Sequence, residues 1–147
     1  MSYGVRPAPE TSVPSPDGRY TPAEQAGNII IKAGILPGEM PEAHEWKTLN
    51  RLAAFGLDVL FVVHPDVVWN GLEWDMKHPY GGGKNNIDNT FKRGHDQSRR
   101  LIIDLSRSPF ADAVWTDAAM KRISTTTHYD EFLLILKDGS GVRIRRN

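Results

Sequence analysis

The sequence predicts a single small α+β domain, with a mixed β-sheet of about five or six strands, two hairpins and flanking helices. Three observations predict it. Some stretches repeat apolar residues at helical spacing, whereas others are short β-branched runs. The two kinds of stretch alternate along the chain, as expected for helices packed on a sheet. Finally, Asn70-Gly71 and Asp138-Gly139 each separate strand-like runs and tolerate the positive φ that a two-residue hairpin turn needs.

Residues 1–40 read as a Pro/Gly-rich linker or arm. Pro7, Pro9, Pro14, Pro16 and Pro22 fall among Gly, Ser and Thr with almost no apolar periodicity. Ile29–Ile31 is a short apolar run able to dock, and Pro37, Gly38 and Pro41 punctuate the chain after it. The folded unit is expected over 41–147. From Glu42 to Phe55, the residues Trp46, Leu49, Leu52 and Ala53 recur at helical spacing, and Gly56 is a natural stop. Leu57–Val63 is nearly all apolar and reads as a buried strand. A hairpin over His64–Lys77 comes next. Pro79–Gly83 forms a flexible loop, and Asn85 or Asn86 caps a helix running to about Arg100. Leu101–Leu105 is a strand, Pro109–Ile123 a helix and Phe132–Leu136 a strand, after which Asp138-Gly139 turns the chain into Val142–Arg146.

Composition narrows the function classes. With 18 basic and 18 acidic side chains the formal charge is zero, although the C-terminal run VRIRRN is locally basic and suits either phosphate or plain solvent. The absence of cysteine excludes a disulfide framework and a thiolate zinc site. No stretch approaches a membrane span and no signal peptide precedes the fold, so the chain reads as one that works in a cytosol.

Most of the chemistry sits in His64–Lys77 (HPDVVWNGLEWDMK). A turn at Asn70-Gly71 sets Trp69 opposite Leu72, Val68 opposite Glu73, Val67 opposite Trp74 and Asp66 opposite Asp75. Because side chains alternate across the pleat, one face holds Val67, Trp69, Leu72, Trp74 and Met76, and the other His64, Asp66, Val68, Glu73, Asp75 and Lys77. Facing carboxylates repel, so Asp66 and Asp75 call for a cation or a shared proton. Asp75 and Lys77 lie two residues, or about 7 Å, apart on one face. Two oxygen ligands and a substrate phosphate suit Mg²⁺, while Lys77 can steady charge developing on phosphorus. His64, opposite Lys77, and His78, next to it, are expected to shuttle protons near neutral pH. The alternative is a solvated polar face on which Lys77 neutralises the two acids.

Gly81-Gly82-Gly83-Lys84-Asn85-Asn86 resembles a phosphate cradle but lacks P-loop spacing, which argues against nucleotide hydrolysis. It brings Lys84 and a helix N-terminus beside the hairpin, where free backbone N–H groups attract anions; a plain flexible connector is the other reading. On the helix, Asn86, Asn89, Arg93, Gln97 and Arg100 form one polar stripe, either solvated or suited to phosphate and base contacts.

PDVVWNG-LEWDMKHP with GGGKNNIDNTFKRGHDQSRRLIIDLS after it resembles the C-terminal toxin domain of contact-dependent growth inhibition proteins and related polymorphic toxins. The resemblance spans roughly Glu42–Asn147. It implies a nuclease, commonly a tRNase, blocked by a cognate immunity protein, sometimes helped by a host translation factor, and delivered from a secreted or phage-borne parent into the cytoplasm of a target bacterium. The PD…D-x-K pattern also resembles the PD-(D/E)XK nucleases, which implies Asp66 and Asp75 as metal ligands and Lys77 as the catalytic lysine. A second toxin group, of the barnase–EndoU–colicin–RelE fold, cuts RNA without metal and implies Asp75, Lys77, His78 and Lys84 as site residues. His78 stands where a small residue is expected and Asp75 where Glu is commoner. Taken together, the expected catalytic residues are Asp66, Asp75, Lys77 and His78, and the expected substrate-binding residues Lys84, Asn85, Asn89, Arg93 and Gln97. A metal-dependent DNase and a non-enzymatic interaction domain of a phage or secretion system are the alternatives.

Overall fold

In the computed structural model, residues 18–146 are described, and the earlier prolines Pro7, Pro9, Pro14 and Pro16 lie outside the described residues. The elements are β1 (Arg19–Tyr20), β2 (Ile29–Ile31), α1 (Ala43–Ala54), β3 (Val59–Phe61), β4 (Val67–Trp69), β5 (Leu72–Lys77), α2 (Asn86–His95), β6 (Arg100–Asp104), α3 (Asp112–Thr125), β7 (Glu131–Ile135) and β8 (Gly141–Arg145). The strands form one eight-stranded sheet in the order β1-β8-β7-β6-β5-β4-β3-β2. Its centre, β5-β6-β7, is parallel, with α2 and α3 as the crossovers; β4-β5 and β7-β8 are antiparallel hairpins.

Alternation along each strand divides the core between the two faces. Trp74, Met76, Ile102, Leu133 and Ile135 point to the α1 side and pack with Leu49, Leu52 and Phe55. Leu101, Ile103, Phe132 and Leu134 point the other way, against Phe91 of α2 and Trp115, Ala119 and Ile123 of α3. The sheet curls around the α1 face, so that Tyr20 of β1 meets Trp69 of β4 edge-on, with ring centroids 6.0 Å apart.

All six strands expected from the sequence are present. The other two, β1 and β2, lie within the stretch expected to be an arm. Ile29–Ile31 pairs in parallel with Val59–Phe61, and Arg19–Tyr20 pairs with Gly141 and Val142. Strands of two and three residues hold on through backbone bonds and are too short to show an alternating pattern. A second difference is that α2 stops at His95 rather than near Arg100. The Gly94 carbonyl accepts from the N–H groups of both Gln97 and Ser98, turning the chain so that Arg100 can begin β6. Gln97 and Arg100 therefore leave the helical stripe.

Gly94 is also a point of close approach. A Cβ there would fall 2.6 Å from Leu101 Cδ1 and 2.8 Å from Cδ2, and Leu101 is fully buried. Gly94→Ala is expected to destabilise the domain by about 1–3 kcal/mol through overpacking, although Ala is the better helix former. Urea unfolding checks this; an unchanged or raised midpoint would show that Leu101 can move aside.

Candidate active site on the hairpin face

The turn adopts the expected geometry, with φ of 55° at Asn70 and 76° at Gly71. The register is Val67↔Trp74, Val68↔Glu73 and Trp69↔Leu72, as the spacing requires. Continuing it brings Asp66, just ahead of β4, beside Asp75. Asp66 Oδ2 accepts the Met76 N–H at 2.7 Å, and its carboxyl is hydrogen-bonded to that of Asp75. Lys77 Nζ lies 2.9 Å from Asp75 Oδ2 and donates to Gln97 Oε1 in the turn after α2. Asp75 Oδ2 is buried and has no aligned hydrogen bond, so the attraction of the ammonium is chiefly coulombic.

Burial, the hydrogen bond to Asp75 and the charge of Asp75 push the Asp66 carboxyl up to about 9, with the Met76 N–H opposing and Glu45 of α1 adding to the rise. At neutral pH Asp66 therefore keeps its proton, and the Lys77 ammonium stands against Asp75. Paired carboxyl groups also suit a hard divalent cation, because Asp75 Oδ2 lacks an aligned partner and the proton on Asp66 is what a cation would replace. Asp66 and Asp75 would hold such an ion, which supplies Lewis-acid polarisation of a phosphate and a more acidic water. A different acid–imidazole cluster, Glu42, His44 and Glu45, sits at the start of α1. There Glu45 Oε1 is already engaged by the Glu42 N–H at 2.9 Å.

Beside Lys77 opens a cavity of about 340 Å³, lined by Lys77, His78, Pro79, Tyr80, Gly81, Asn86, Thr90 and Arg93. Gly81 leaves room for the Asn86 amide, since a Cβ at Gly81 would stand 2.8 Å from Asn86 Nδ2. The Tyr80 ring is exposed, with the Arg107 guanidinium 4.8 Å from its centroid.

The structure thus gathers Asp66, Asp75, Lys77 and Gln97 into one cluster, and His78 and Arg93 line the adjoining cavity. Lys84, Asn85 and Asn89 are exposed and are not among the residues lining it. Arg100 turns to Glu131 instead, with its Nε 3.1 Å from Oε1. His64 leaves the ladder before reaching Lys77, because Val63 takes a φ of 75° and the His64 N–H closes a tight turn onto the Val62 carbonyl at 2.9 Å. His78 lies near the cluster, but its Nε2 meets Thr48 of α1 at 2.9 Å. Burial first, then His44, lower it to about 4, so it does not titrate near neutrality as the sequence suggests. Sequence reasoning missed Thr48, Arg51 and Asp104. Thr48 and Arg51 stand three residues apart on α1, and Asp104 is the lone charge in the apolar run LIIDL, which is the signal that could have found them.

The family model for the contact-dependent growth inhibition CdiA C-terminal domain matches residues 64–140, from the hairpin to the start of β8. The chain belongs to that family and is a CdiA-type C-terminal toxin domain. In fold it is similar to a chain of the CdiA-CT/CdiI toxin and immunity complex from Burkholderia pseudomallei, with a TM-score of 0.57 and 21% identity, covering 81% of this chain and 99% of that one. Comparison with curated proteins finds no significant match.

A carboxyl raised from 3.8 to about 9 on folding makes the native state bind more protons between those values, so its contribution is present at low pH and lost as pH rises toward 9. Asp66→Asn keeps an acceptor for Met76 and a donor for Asp75 without an ionisable group. Its stability relative to the parent is expected to grow steadily from pH 5 to pH 9 in urea unfolding. A constant difference would show that Asp66 titrates normally.

Proposed function

We propose that this domain is an endonuclease toxin that cleaves RNA, with tRNA as its substrate. The observation that carries the reading is the Asp66–Asp75–Lys77 cluster, tied to Gln97, whose Lys77 also lines a cavity shared with Arg93; the two acids lie behind that wall, with Asp75 buried. A fixed ammonium and a guanidinium beside paired acids suit a phosphodiester, whose charge grows in the transition state and rewards cations already in place. Asp66, Asp75 and Lys77 are assigned to the reacting phosphate, with His78 beside them in the cavity wall. Gln97 orients Lys77, Arg93 holds a neighbouring phosphate, and Lys84, Asn85 and Asn89 extend the contact surface around the start of α2.

Family membership supports the toxin assignment, and the similar complex, which pairs a toxin with an immunity protein, supports a cognate immunity protein as partner. In this proposal residues 41–147 carry the activity, β1 and β2 complete their sheet, and a secreted or phage-borne parent delivers the domain into the cytoplasm of a target bacterium. A host translation factor is a further candidate partner, since the zero net charge gives weak general attraction for nucleic acid.

Cleavage of total tRNA by the purified domain is expected to fall at least about 10²-fold in Asp75→Asn and in Lys77→Ala, with far-UV circular dichroism unchanged. Retained activity in either variant would remove the cluster from the mechanism. Plasmid DNA offered in parallel distinguishes a DNase. Loss with EDTA and rescue by Mg²⁺ would assign the metal-assisted route, whereas indifference to chelator with 2′,3′-cyclic phosphate ends would assign attack by the ribose hydroxyl.

A further inference from the structure

On the α1 side of the sheet, four side chains form a directed hydrogen-bond chain ending at the cavity. Arg51 Nη1 lies 3.1 Å from Asp104 Oδ1 and 2.9 Å from Oδ2, and the Ser106 N–H donates to Oδ1 at 3.0 Å. Burial opposes ionisation of Asp104, but hydrogen bonds from Thr48 and Ser106 and the charge of Arg51 outweigh it and hold the group below its usual value. A carboxylate only accepts, so the Thr48 hydroxyl, 2.6 Å from Asp104 Oδ2, commits its single proton there. Its contact with the His44 carbonyl is longer, at 3.3 Å. His78 Nε2 sits 2.9 Å from the same hydroxyl oxygen, which then has only lone pairs to offer, so Nε2 must carry hydrogen. In a neutral ring this leaves the lone pair on Nδ1, which has no hydrogen-bond partner among the described residues.

We propose that Arg51, Asp104 and Thr48 are positioning residues that lock His78 in the Nε2–H tautomer, so that Nδ1 accepts a hydrogen bond from a ribose hydroxyl of RNA in the cavity. The ligand rests on the nuclease reading above; the tautomer rests on the directions of the hydrogen bonds alone. His78 lines the same cavity as Lys77 and Arg93. A nucleotide whose phosphate engages those cations presents its sugar next, and the 2′-hydroxyl distinguishes RNA from DNA. Burial and His44, packed edge-on with ring centroids 4.5 Å apart, keep the imidazole neutral; Asp104 favours protonation, and Arg107 and Lys77 oppose it. So weakly basic a ring is a poor proton acceptor for catalysis, yet it stays in its accepting form throughout the physiological range.

Imidazole ¹⁵N correlation spectra at pH 7 read the tautomer directly. His78 is expected to show the Nε2–H pattern, to keep it in Thr48→Ser and to become a mixture in Thr48→Val. An Nδ1–H pattern in the parent, or an unchanged pattern in Thr48→Val, overturns the lock. Thr48→Ser provides a folded reference should Thr48→Val unfold. For the ligand, a short single-stranded RNA and its DNA counterpart are titrated into Asp75→Asn protein with His78 intact or changed to Phe. A preference for RNA of about fivefold, lost in His78→Phe, is expected. Equal preference in both proteins overturns the ribose assignment. Because the spectra need no substrate, failure of the lock and failure of the nuclease reading are separately visible.

Discussion

The period of two along a β-strand is the constraint from which the site arises. Asn70 and Gly71 accept the left-handed conformation of a tight turn and fix the register of β4 on β5. With that register set, the apolar set from Val67 to Met76 must cover the α1 face, and the acids and Lys77 must fall on the other. A slip of one residue would drive Trp74 out of the core and Asp75 into it. The fully buried Trp74 therefore holds the carboxyls in place as firmly as the turn does.

Placing two acids together in a largely buried setting disfavours the doubly charged state, and the fold relieves this with one proton and one ammonium. Such an arrangement adds little to stability, because desolvation of charges offsets most of their attraction. It does provide a carboxyl whose protonation departs from that of ordinary surface residues, a mark common at functional sites. Lys77 is central: it neutralises Asp75, is held by Gln97 and forms part of the cavity wall. On the other face, Asp104 meets the same difficulty by another route, through Thr48, Arg51 and the Ser106 backbone, and so remains charged.

What the sequence reveals is the local part of this design. The hairpin, its two faces and the Asp66–Asp75 contact are legible because turn chemistry and alternation act over neighbouring residues. The long-range part is not. Thr48 and Asp104 are separated by 56 positions and meet only because α1 lies over the end of β6. His78 looks like an ordinary neutral-range imidazole until that same packing removes its solvent. The ends of elements fail similarly: the polar stripe of α2 predicts a helix through Arg100, but close packing of Gly94 on Leu101 and the start of β6 end it sooner. His64, opposite Lys77 by simple counting, is lost to the turn at Val63, for which a β-branched residue gives no warning.

The central claim is that Asp66 keeps its proton beside Asp75 and Lys77 at physiological pH. Carboxyl ¹³C shifts of the two aspartates, tracked from pH 4 to pH 10 in protein free of divalent metal, test it most directly. The account predicts that the Asp66 carbon keeps the shift of a protonated acid through neutrality and changes only in the alkaline range. An Asp66 carbon that already shows the ionised shift by pH 6 would contradict it.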